Sequence, residues 1–129
     1  MDDRDVSKLL RAAGQRLTSA QILYDNSAYL DSTYIAGYSV ECSLKAVIIG
    51  RTPATRRQEF KGKIAHNYEY LKDLLKKKNV NTSPISIALR RIATWSTDLR
   101  YDVGRGDAGT AEQFLAAARE IYNWAQRNL

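Results

Sequence analysis

Residues 34–50, YIAGYSVECSLKAVIIG, decide the architecture of this chain. The stretch is apolar on nearly every side and spans roughly five helical turns, so it belongs at the centre of a core rather than on a surface. Yet Glu41 and Lys45 stand in it four residues apart, where a carboxylate and an ammonium meet along one helix face. Exposed, such a pair contributes only about 0.2–0.5 kcal/mol. In a central helix the carboxylate needs more, because breaking a buried pair costs about 3–5 kcal/mol. Glu41 therefore calls for a cation from another helix. Arg100 is the candidate, since a guanidinium can hold a carboxylate with two parallel hydrogen bonds. Glu41, Lys45 and Arg100 then form a structural ion-pair network.

Working outward, apolar residues recur at Val6, Leu9, Leu10, Ala13, Leu17, Ala20, Leu23 and Tyr24, the pattern of one buried helix face. A break near Asp25 leads into the central helix, from about Ala28 or Asp31 to Ile49, with Gly37 allowing a close helix crossing and Gly50 as the residue after its end. Arg51 to Ala65 reads as a long loop containing Pro53. Asn67 caps a third helix carrying Tyr70, Leu71, Leu74 and Leu75, and Lys76, Lys77 and Lys78 stand at its C-terminal end, where the helix dipole favours cations. Thr82 or Ser83 before Pro84 opens a fourth helix, with Ile85, Ala88, Leu89 and Ile92 buried and Trp95 and Leu99 extending that face. Residues 100–109 hold three glycines. A capping box at Thr110–Gln113 then starts a last helix with a stripe at Ala111, Phe114, Leu115, Ala118, Ile121, Tyr122, Ala125 and Leu129. With no sustained period-2 alternation, the expectation is all-α: an antiparallel up-and-down bundle of four to five helices.

The 129 residues fit a single domain, 1–129. No apolar run reaches the length a bilayer needs, and the acidic start is not that of a secretory leader, so a cytoplasmic location without membrane contact is expected. One Cys cannot form an intramolecular disulfide, and Cys42 reads as a small core residue. One His and one Cys exclude a clustered metal site, and no phosphate-binding glycine loop is present, so no metal or cofactor is expected. The charge, by contrast, is localised. Of the net +6, all is concentrated between Arg51 and Lys78, which hold nine Lys and Arg against three acids; the remainder has eleven of each. A local excess of this kind attracts phosphates or acidic surfaces. His66, which titrates near neutrality, stands just before the third helix, where it covers the helix start, packs on Tyr70 or moves protons. The tyrosines read as core residues with a wet hydroxyl end, or as platforms for bases beside the basic segment.

Four elements in this order resemble a HEPN domain (higher eukaryotes and prokaryotes nucleotide-binding). They are AAGQRLTSAQILYDN in the first helix, YIAGYSVECSLKAVI in the second, HNYEYLKDLL after the basic loop, and LRYDV after the fourth helix. The resemblance covers almost the whole chain. It implies a helical bundle that pairs as a homodimer, with Arg-containing turns facing a cleft. Many relatives are metal-independent endoribonucleases of toxin–antitoxin or phage-defence systems that use Arg-x(4–6)-His; others bind nucleotides or act as dimerising modules. Here the positions after Arg100 where that His would stand are Arg105, Gly106 and Asp107, so the nuclease motif is absent. The resemblance then favours binding of RNA or nucleotide, with Arg56, Arg57, Lys61 and Lys63 contacting phosphates and Arg100, Tyr101 and Arg105 at the cleft. The alternatives are a toxin-like RNase, in which Arg100 holds phosphate and His66 or Asp102 moves protons, and an interaction module docking an acidic partner such as a nucleotidyltransferase-type antitoxin.

Overall fold

In the computed structural model, which describes residues 3–60 and 67–129, helix α1 spans Arg4–Asp25. Asp3 caps it by accepting from the backbone N–H of Asp5 and Val6 at 3.2 and 3.3 Å. Ser27, in the left-handed region at φ 63°, helps reverse the chain. Helix α2 (Tyr29–Gly50) then returns antiparallel along α1. Two buried serines register the pair: Ser32 Oγ donates to Ala20 O at 2.7 Å and Ser39 Oγ to Ala13 O at 2.8 Å. Alanine and serine on the facing surfaces let the backbones come this close, and each hydroxyl is satisfied by a carbonyl of the other helix.

Helix α3 (Tyr68–Lys77) is capped by the Asn67 side chain, as the sequence predicts, with Tyr70 N donating to Oδ1 at 3.2 Å. Helix α4 is short (Ser86–Arg91), and α5 spans Ala108–Arg127. Gln21 of α1 meets Arg119 of α5, and Leu129 reaches Gly50, so α5 is antiparallel to α1 and parallel to α2. The core joins Val40, Leu44, Val47 and Ile48 of α2 to Leu71 and Leu75, to Ala88, Leu89 and Ile92, and to Phe114, Ile121 and Trp124. The fold is an all-α bundle, with five α-helices and no strand among the described residues.

Several boundaries differ from expectation, each for a physical reason. Part of the long loop after α2 is a 3₁₀ helix, Ala54–Phe60. Pro53 O accepts from Arg56 N at 2.9 Å, and the Arg57 guanidinium ties the turn to Thr52 O and to Asp3 and Asp5 at the start of α1. Gly50 is the last residue of α2 rather than a left-handed residue beyond it; it is small because Leu129 and Val6 pack there. The fourth helix is divided into a 3₁₀ turn (Ser83–Ile85), α4 and a second 3₁₀ turn (Thr97–Tyr101). Thr82 makes no side-chain cap, and Asn81 instead accepts from Ser83 N and Oγ. The cap of the last helix stands three residues before the expected one at Thr110. Asp107 is its cap, accepting from Thr110 N at 2.7 Å and Thr110 Oγ1 at 2.9 Å, which holds its carboxyl below the usual range. Trp124 joins the buried stripe that was expected to include Leu129, which is exposed.

Candidate functional site

The polar residues of the central helix are organised around Gly37. A Cβ there would lie 2.0 Å from Trp95 Nε1, so the glycine admits the edge of an indole rather than another helix. Trp95 is stacked between Tyr34 and Tyr68, at centroid distances of 6.2 and 5.2 Å, with Tyr38 against it edge-on at 5.1 Å. Its N–H donates to Tyr34 O at 3.1 Å, and Tyr68 O–H donates to Gly37 O at 2.6 Å. Burial, and next the Glu41 charge, push the Tyr68 phenol well above its ordinary value. Glu41 is 4% exposed and accepts from Lys45 Nζ at 3.0 Å. Cys42 is half-buried rather than a core residue, and burial, with Glu41 second, pushes its thiol up, which disfavours the nucleophilic thiolate.

A different site lies beyond the end of α2. Thr52, Pro53 and Arg56 face Tyr70, Leu74, Lys77 and Lys78 of α3 across a cleft of about 210 Å³. Among the described residues three cations and no carboxylate line it, with a phenol and a hydroxyl between them. Among the described residues no carboxylate pairs with Lys77 or Lys78. The carbonyl end of α3 offsets part of their mutual repulsion, which is what lets like charges share one helix end.

The third element is the glycine-rich turn. It is fixed at both ends, by the 3₁₀ turn Thr97–Tyr101 and by Leu30 N donating to Arg105 O at 2.7 Å. Gly106 (φ 81°) lies against the Leu30 backbone, which a Cβ would meet at 2.5 Å. Gly104 (φ 104°) has open space around it. Between the anchors Tyr101, Asp102, Val103 and Arg105 are exposed, Val103 at 93%.

A family model described as HEPN domain matches residues 6–129. The chain belongs to the HEPN family. No curated protein and no solved structure matches it. The match spans the α1–α5 frame of this HEPN domain together with the cleft and the turn just described.

Within the HEPN frame the expected binding residues are not gathered in one place. The turn with Tyr101 and Arg105 sits at the start of α2, by Leu30, whereas Arg56 and its cleft lie past its end. At 1.5 Å per residue along α2 the two are about 30 Å apart. Arg57 stands near Arg56 but is committed to Asp3 and Asp5, and its Nη1 is 2.9 and 2.8 Å from their oxygens. Lys77, Lys78, Tyr70 and Thr52 complete the cleft and were not singled out as binding residues from sequence. Lys77 and Lys78 belong to the local charge excess, but a helix dipole explains their run equally well. His66, Lys61 and Lys63 lie outside the described residues, as does the side chain on which an Arg100 clamp of Glu41 depends. Asp102 is exposed at the end of its 3₁₀ turn. Among the described residues no group of His, Cys, Asp and Glu could hold a metal ion, and no helix is long and apolar enough to cross a membrane.

Proposed function

We propose that this HEPN domain binds RNA or nucleotide, with phosphate held in the cleft of Arg56, Lys77 and Lys78. The observation that carries the reading is that cleft: Arg56, Lys77 and Lys78 converge there beside the ring of Tyr70, and no carboxylate is among its described lining residues. A phosphate needs donors and positive charge, and an aromatic ring at the wall offers a base or sugar a surface to lie on. At the other end of α2, Tyr101 and Arg105 offer a second, exposed contact. The domain acts as a homodimer, and a nucleotidyltransferase-type antitoxin beside it in a toxin–antitoxin or defence pair is the partner this reading favours.

The test is a fluorescence titration of labelled single-stranded RNA over a series of salt concentrations. Three phosphate contacts give a slope of log affinity against log salt of about −2, since each contributes about −0.7 on a single strand. Replacing Arg56, Lys77 and Lys78 together by Ala removes most of that slope while the helical circular dichroism stays unchanged. No binding at low salt, or binding indifferent to salt and to the triple substitution, overturns the reading.

A further inference from the structure

Between α1 and α5 the surface dips into a groove of about 890 Å³, on different helices from the cationic cleft. The sequence makes the dip. Gly14 leaves a gap in the ridge of α1, where the Tyr122 hydroxyl lies 3.0 Å from the position a Cβ would take, and Thr18 one turn later keeps the ridge low. Leu17 and the Tyr122 ring form an apolar floor that continues onto Ile22, which is 57% exposed. Arg11 and Arg16 of α1 and Arg119 of α5 line the groove, and among the described residues no carboxylate does. Arg119 Nη2 donates to Gln21 Oε1 at 3.0 Å, and among the described residues none of the three arginines makes an ion pair.

We infer that this groove docks an acidic amphipathic helix of a partner protein. The lining of the groove runs from Arg11 to Ile22 along α1, about 17 Å, which seats roughly three turns of a third helix. Ridge-into-groove packing fits a helix there, with its apolar stripe on Leu17, Ile22 and Tyr122. Its carboxylates then meet Arg11 and Arg119, whose planar guanidinium forks match them. The charge in the groove is of one sign, so the partner's is the other. A nucleic-acid strand would use the arginines and the Tyr122 ring and leave Leu17 and Ile22 without a role, which is why a peptide helix fits better.

The test uses the full chain, isotope-labelled, with a designed helical peptide bearing leucines on one face and glutamates elsewhere, and the same peptide with lysine for glutamate. The acidic peptide is expected to shift the amide signals of Gly14, Thr18, Ile22, Arg119 and Tyr122 and to bind at least about tenfold more tightly than the lysine peptide. Arg11→Glu with Arg119→Glu removes most of this preference, leaving Arg16 as the one cation among the described lining residues, and Ile22→Gln weakens binding without changing the preference. RNA affinity is unaffected by all three substitutions. No shift in the groove, or equal binding of both peptides, overturns the inference. Loss of RNA affinity on Arg11→Glu with Arg119→Glu overturns it also, and assigns the groove to nucleic acid instead.

Discussion

Gly37 shows how much one missing side chain can determine. Its Cα faces an indole edge held between two tyrosine rings, and that packing leaves no direction in which Trp95 can yield without disturbing Tyr34 or Tyr68. Gly37→Ala would gain up to about 1 kcal/mol of helix propensity. The overpacking costs about 1–3 kcal/mol, so the net expectation is a lower urea midpoint; an unchanged or raised one would show that the ring cluster has slack. The two tryptophans allow a paired comparison. Trp95 donates its N–H to Tyr34 O, whereas Trp124 is buried and its N–H has no acceptor among the described residues. Replacing each by Phe removes similar ring area, but only the first loses a hydrogen bond. Trp95→Phe should therefore destabilise by about 1 kcal/mol more than Trp124→Phe in the same denaturation experiment, and equal losses would contradict this account. From sequence Gly37 is recognisable as a point of close approach, since a helix interior tolerates glycine only for a reason. That the approaching group is an indole from beyond α4 is a long-range fact that no local pattern carries.

At the scale of elements, the start of α1 and the 3₁₀ helix after α2 are held together by charge. Arg57 places its guanidinium between Asp3 and Asp5, and this hydrogen bonding lowers the Asp3 carboxyl from 3.8 to about 2. A carboxyl depressed in the folded state contributes stability above its unfolded value and loses it as pH falls toward the folded one. The stability difference between the native chain and Arg57→Ala should thus be constant above about pH 5 and fade between about pH 4 and pH 2, followed by thermal melting. A difference that persists undiminished at pH 2 would mean Arg57 acts by packing alone. The long helices were legible because their buried faces repeat with the helical period over many turns. The divided fourth helix and the Asp107 cap were not, because short segments carry few repeats and their geometry is set by side chains bonding neighbouring backbone. The 3₁₀ helix depends on partners some fifty residues distant.

Across the whole molecule, α2 acts as a spacer between the cationic cleft and the exposed Tyr101–Arg105 turn. A mononucleotide is far shorter than the roughly 30 Å between them and reaches only one end. Affinity is therefore expected to rise with length in a series from a mononucleotide to an RNA of about ten nucleotides, and Tyr101→Ala should weaken only the longer ligands. A flat series would restrict recognition to the cleft. Residues at both ends are marked in the sequence, but the distance between them is not, because it depends on the path of the loops. The local charge excess was visible, whereas its division between Arg57, neutralised by Asp3 and Asp5, and the cleft cations emerges only from the packing. The serine contacts between α1 and α2 bear on how the chain reaches this state. The two helices are neighbours joined by Asn26, Ser27 and Ala28, so their pairing closes a short loop and costs little chain entropy. During synthesis this hairpin emerges first and can close while α5 is still unmade. Until α5 arrives, the surface it will cover stays wet, and in that interval self-association competes with completing the bundle.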